Sequence, residues 1–288
     1  MADLLTHIAD VIQDVSNPEL ANQLTEAFSQ SQPALNQIQH SFLVLTQSKP
    51  EHHQLCQFFH NWSLTNNSAA GLSGYCNRLT KRWRYGETEQ TKATSAPLYM
   101  SILGHLNRVS DEDLGVEGGT IHYDLYYHMA TTICGNDQWL SRRFASQSGT
   151  KFKKWKDHQL LREKDLFLGM LTTLVHEIYT HGEVEFILPL FQQWLSKTQQ
   201  LNKTEQARCL NWIAVHTCGT ERNHFNETLA TLDSLAQLLS VKLADYDLVS
   251  IFSHYLSQKA SVMSPLISLF QPDSASLAER KMPEEQTA

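Results

Sequence analysis

Three pairs of side chains could do chemistry together. They are Asp124 and His128 in "TIHYDLYYHMATTICG", Glu177 and His181 in "LVHEIYTHGEVEFILPL", and Glu221 and His224 in "GTERNHFNETL". Each pair is spaced three or four residues apart, so on a helix its members share a face. A carboxylate or imidazole turned into a core is costly unless it is paired or binds a metal. Three carboxylates with three imidazoles suit two adjacent iron or manganese ions. Hard carboxylates bridge such ions, and neutral imidazoles cap them. Helix bundles supply ligands of this kind from facing helices. Open coordination positions would then take dioxygen or substrate.

The elements carrying the pairs read as helices. Steps of three and four from Leu210 give Ala214, Thr217, Glu221, His224, Thr228, Leu232, Leu235 and Leu239, a stripe that is apolar at its ends and ionisable at its centre. The second stripe runs Met170, Leu174, Glu177, His181, Val184 and Leu188, with His176 and Glu183 on a separate row beside Thr173 and Thr180. The third runs Ile121, Asp124, Leu125, His128 and Thr131, against a competing face of His122, Tyr126 and Met129. One acid–histidine pair alone would be read as a surface or capping feature. Recurrence in three helices favours a shared centre. Tyr123, Tyr126, Tyr127 and Tyr179 are close enough in sequence to line its pocket.

Period-2 alternation is nearly absent, and Gly (12) and Pro (8) are scarce in the 288 residues, so the chain reads as an all-α protein. Helices are expected at about 2–15, 18–30, 33–47, 51–82, 96–108, 120–134, 136–146, 157–198, 203–241 and 245–257. Between them lie a polar loop, 86–96, and an acidic, Gly-ended connection, "SDEDLGVEGG" (110–119). A single domain is expected over 1–271, with 1–50 as an N-terminal helical extension able to pack a second subunit, and 272–288 as a polar disordered tail.

The net charge of −7 implies no basic surface for nucleic acid. No run of 18 uncharged apolar residues suggests a membrane span. Five cysteines, an odd count with no CxxC pair, favour a reduced cytoplasmic protein over a disulfide framework. Histidine is plentiful, at 14 residues. The basic stretch 151–165, with Phe152 and Trp155, reads as a solvated helix start.

These residues resemble the heme-oxygenase-like, TenA-like helical superfamily, in particular its non-haem di-iron oxidase branch. The resemblance covers about residues 50–257 and rests on ligand spacing. In "ERNH", Glu221 and His224 match the carboxylate–x–x–His element of that branch's last ligand helix, and Glu177 matches the glutamate of its middle helix. The resemblance implies a multi-helix bundle holding two iron ions, or manganese, and an oxidase or oxygenase acting on a small, partly apolar organic substrate. It is also compatible with a homodimer. There are departures. The last helix often carries a histidine four residues before the carboxylate, where this chain has Thr217 with His216 beside it. The first helix usually spaces Glu and His by seven, whereas Asp124 and His128 are four apart. His181 is not required by the pattern, and His216 stands as its alternative.

Three rival readings remain. A TenA-like cysteine hydrolase would use Cys134 or Cys218 as nucleophile. Haem degradation would use His53 or His60. A non-catalytic helical binding or regulatory protein of the same fold would use amphipathic faces and bind no metal.

Overall fold

The computed structural model describes residues 2–66, 69–86, 88–116, 119–198, 201–217 and 219–270. The expected tail 272–288 and Cys218 lie outside them. The described residues form helices, with no strand among them. In chain order these are α1 (Leu4–Gln13), α2 (Pro18–Gln47), α3 (His52–Asn66), α4 (Ala69–Gly86), α5 (Glu89–Asp113), α6 (His122–Cys134), α7 (Gln147–Leu161), α8 (Leu166–Thr198), α9 (Lys203–Cys209), α10 (Asn211–His216), α11 (Thr220–Leu239) and α12 (Leu248–Met263). Single 3-10 turns occupy Asp137–Leu140, Arg142–Phe144, Leu243–Asp245 and Ser264–Leu269.

Caps set several boundaries. Asn17 accepts from the backbone N–H groups of Glu19 and Leu20 ahead of Pro18, and Asn202 forms a capping box with Glu205. Elsewhere packing overrides local signals. α2 runs through Pro33, because Leu24, Ala27, Leu35 and Ile38 are all buried and α12 lies along it. The lost hydrogen bond at Pro33 is outweighed by that contact. α5 begins at Glu89, inside the segment read as a loop, and carries on through the acidic residues to Asp113.

α8 is the axis of the molecule. It packs against α1, α2, α7, α10, α11 and α12, and every residue from Gly169 to Thr180 is buried. A helix enclosed on all sides has no solvated row. Thr173, His176, Thr180 and Glu183, which look like a polar face in sequence, therefore lie inside. Gly182 permits the closest approach on one side, since a Cβ there would sit 2.4 Å from Ile8 Cγ1 of α1.

The segment expected as one helix over 203–241 is three. α10 ends at His216, and α11 restarts after Gly219, whose φ of +105° is a left-handed conformation open to glycine. α11 then packs between α5 and α8. The result is a layer of α5, α11 and α8, with α6 and α10 closing one end. None of the described helices is long and apolar enough to cross a membrane.

Candidate metal centre

Two groups of potential ligands meet where these helices converge. Glu177 of α8 and Glu221 and His224 of α11 form the first. Asp113 at the end of α5, His122 at the start of α6 and His216 at the end of α10 form the second. Within each group the ligand atoms lie within 4.8 Å of one another.

Glu221 connects the groups. Its Oε1 is 3.8 Å from His216 Nε2, and its Oε2 is 3.9 Å from His224 Nδ1. His224 Nδ1 is also 3.8 Å from Glu177 Oε2. On its far side His224 Nε2 is 3.1 Å from Glu112 Oε2, which fixes the ring with Nδ1 facing the two buried carboxylates. His216 is fixed in the same manner. Its Nδ1 donates to the Trp212 carbonyl at 2.6 Å, so in the neutral ring the Nε2 lone pair faces Glu221. His122 Nδ1 lies 2.9 Å from Asp113 Oδ1, and the His122 and His216 rings are 4.4 Å apart. A ligand histidine whose other nitrogen is tied to a carbonyl or carboxylate is the usual arrangement around a metal.

Burial and mutual charge dominate the electrostatics of the site. Burial pushes the Glu177 carboxyl up to about 7, and burial with the nearby Glu177 and Asp113 carboxylates pushes Glu221 well above its ordinary value. His216 is lowered to about 4, chiefly by burial. Burial also opposes charge on His224, yet Glu112, Glu221 and Glu177 together raise it to about 10. Asp113 is partly buried, which opposes its charge, and the His122 hydrogen bond with the surrounding imidazoles still holds it below the usual carboxylate range. Glu177 Oε1 is buried with no hydrogen-bond partner. Three carboxyl groups and three imidazoles packed together, one carboxyl oxygen among them without a hydrogen-bond partner, are a donor set that would suit a divalent cation in each group once His224 gives up its proton.

The centre lies between two cavities that share His122 and His224. One, of about 350 Å³, has mainly apolar and aromatic walls, and it is lined by Asp113, Glu177, His216 and Glu221 at the centre. The other, of about 800 Å³, has mixed polar and apolar walls that include Arg108, Glu112 and Glu227.

Of the six residues expected as ligands, Glu177, Glu221 and His224 come together. Asp124 and His128 do not: both are exposed, because α6 buries its competing face of Tyr126, Met129, Ala130 and Ile133. His181 does not join either. Thr173, His176 and Thr180 lie to one side of Glu177 around the helix, and His181 lies to the other. The cavity opens on the side of His176 and Thr180, whereas His181 is half-buried on the α1 side, near the charges of His7 and Asp10. Its Nδ1 is buried without a hydrogen-bond partner among the described residues. His216, the alternative, occupies the centre instead.

Three contributors were missed, and a fourth, His216, was expected only as an alternative. Glu112 and Asp113 sit in the acidic stretch read as a connection. His122 was assigned to the competing face, and His216 lies out of phase with Glu221 on any continuous helix. Of the tyrosines, Tyr123 and Tyr126 line the smaller cavity. Tyr179 turns to Glu183, to which its hydroxyl donates. Cys134 is buried in the core, where desolvation raises its thiol far above its ordinary value. His53 is exposed, and His60 lies in the cavity wall with Nδ1 donating to the Trp139 carbonyl at 2.8 Å. Compared with known proteins, the chain matches no family model, no curated protein and no solved structure.

Proposed function

We propose that this chain is a non-haem oxidase or oxygenase. It would hold two iron or manganese ions between α5, α6, α8, α10 and α11 and act on a small, partly apolar organic molecule. The observation that carries the reading is Glu221, whose Oε1 faces His216 of one ligand group and whose Oε2 faces His224 of the other, so that it would be available to both ions. The ligands assigned to one ion are Glu177, Glu221 and His224, and to the other Asp113, His122 and His216, with Glu221 shared. The reading is that of the di-iron oxidase branch of the heme-oxygenase-like superfamily. Glu221 and His224 keep the element that suggested it, and His216 takes the position left open by Thr217.

Ions held by these residues would supply dioxygen chemistry. The remaining roles belong to the protein. Asp113, Glu177 and Glu221 supply the negative charge that two divalent cations need. Trp212 and Glu112 hold His216 and His224 in the ligating orientation. The apolar walls of the smaller cavity exclude water from the side on which substrate would enter.

Dioxygen uptake by ferrous-loaded protein in the presence of a reductant tests the reading. Uptake above that of free iron is expected, lost in Glu221→Gln and His224→Ala and retained in Asp124→Asn. Uptake equal to free iron in the parent protein, or unchanged in both centre variants, would overturn it.

A further inference from the structure

Away from the metal centre, two free thiols meet. Cys56, one turn into α3, and Cys134, the last residue of α6, are in contact, and the Cys134 thiol donates a hydrogen bond to Cys56 Sγ. His52 stands four residues before Cys56, on the same face of α3. Its Nε2 lies 3.6 Å from Cys56 Sγ and 3.1 Å from Asn136 Oδ1. Asn136 Oδ1 also accepts from the Gln138 backbone N–H at 3.0 Å, so it is the amide oxygen, and the His52 nitrogen facing it carries hydrogen. Cys56 Sγ therefore has an N–H and an S–H beside it, and the nearby Arg143 guanidinium favours its charged form. Burial opposes charge on both sulfurs. The shared hydrogen bond opposes it further on Cys134 and favours it on Cys56, so Cys56 is the sulfur that ionises first. The pair lies just beneath the surface, since His52, Gly135 and Asn136 around it are exposed.

We propose that Cys56 and Cys134 are a reversible oxidation site, a dithiol that a hydroperoxide converts to a disulfide. The Cys56 sulfur attacks one peroxide oxygen. The O–O bond breaks, Cys56 becomes a sulfenic acid, and its thiol proton leaves with the other oxygen as water. The Cys134 sulfur then attacks the Cys56 sulfur. The S–O bond breaks, and the hydroxyl departs with the Cys134 proton as a second water. Two electrons pass from the two thiols to one peroxide, and two equivalents of an external thiol reverse the change. The bond ties the end of α6 to α3. Both helices line the smaller cavity, α3 through His60 and Ser63 and α6 through His122 and Tyr126, so oxidation fixes that wall. The site uses no metal and does not rest on the oxidase reading.

The test is treatment of the full-length protein in chelator with hydrogen peroxide, then alkylation of the remaining thiols under denaturing conditions and peptide mapping by mass spectrometry. A Cys56–Cys134 linked peptide is expected, formed before the buried Cys76 and Cys209 are modified and lost on addition of dithiothreitol. Cys134→Ser removes the second sulfur, so dimedone is expected to trap a sulfenic acid on Cys56. Cys56→Ser is expected to leave Cys134 reduced under the same treatment. If either serine variant fails to fold, the map of the parent protein decides alone. No linked peptide from the folded parent, or Cys76 and Cys209 oxidised as fast as the pair, would overturn the proposal. Linkage in a protein that takes up no metal would leave this inference standing and remove the oxidase. Metal uptake without linkage would do the reverse.

Discussion

Burial and the neighbouring carboxylates raise both Glu177 and Glu221 above the ordinary carboxylate range. Relative to an ordinary value of 4.5, the folded-state value of Glu177 is raised to about 7. A raised carboxyl contributes stability that is fully present below pH 4.5 and lost as pH rises through about 7. In metal-free protein, Glu177→Gln, which mimics the protonated form, is therefore expected to gain stability over the parent as pH rises across that window. Melting temperatures at several pH values in chelator measure the difference, and a constant difference would contradict it. Metal binding must displace the same protons, so titrations in buffers of different ionisation enthalpy should report proton release at pH near 7. The two ligand groups should also separate by mutation. Asp113→Asn or His216→Ala is expected to lower metal content from about two ions to about one per chain, whereas Glu221→Ala removes both. Asp124→Asn and His128→Gln should leave it unchanged.

The helices carrying Glu177 and the Glu221–His224 pair were legible because acids and histidines interrupt apolar rows there. What periodicity could not give was the phase between elements. His216 reaches the centre only because the helix stops before Gly219 and begins again in another direction, and a stripe drawn through 203–241 assumes it does not. Glu112 and Asp113 were hidden by composition, since an acidic run beside glycines reads as a solvated connection when nothing shows that α11 packs against it. His181 falls outside the cluster because the side of Glu177 that faces the centre depends on which neighbour leaves a cavity, which spacing along one helix does not give. The α10–α11 break gives an element-scale test. Gly219→Ala places an L-residue at φ +105° with no steric clash, so it should cost about 1–3 kcal/mol from backbone strain alone. Metal affinity should fall with it, because His216 and Glu221 flank the strained turn. Gly182→Ala crowds Ile8 instead, and should destabilise the packing of α1 by about 1–3 kcal/mol with little effect on metal content. Denaturation curves and elemental analysis on both variants separate the two effects.

At the scale of the whole molecule, the all-α class followed from the apolar period and the shortage of turn residues. The architecture around α8, buried without a break from Gly169 to Thr180, did not follow, because enclosure is a property of its neighbours. That enclosure also buries an ion pair away from the centre. Lys259 Nζ of α12 lies 2.9 Å from Glu183 Oε2 of α8 and 3.9 Å from the Tyr179 ring centroid, and Trp62 Nε1 donates to Glu183 Oε1 at 2.7 Å. Both charged side chains are inaccessible to solvent, so Lys259→Met or Glu183→Leu alone should cost about 3–5 kcal/mol, and the double variant less than the sum. Urea denaturation of the three variants measures the coupling; additive costs would contradict it. The central claim is the pair of ions joined by Glu221. Elemental analysis of full-length protein expressed with iron or manganese and freed of loosely held metal tests it most directly. The expected result is about two ions per chain in the parent and none in a folded Glu221→Ala variant. A folded parent protein that retains no metal, or a Glu221→Ala variant that retains as much as the parent, would contradict the account.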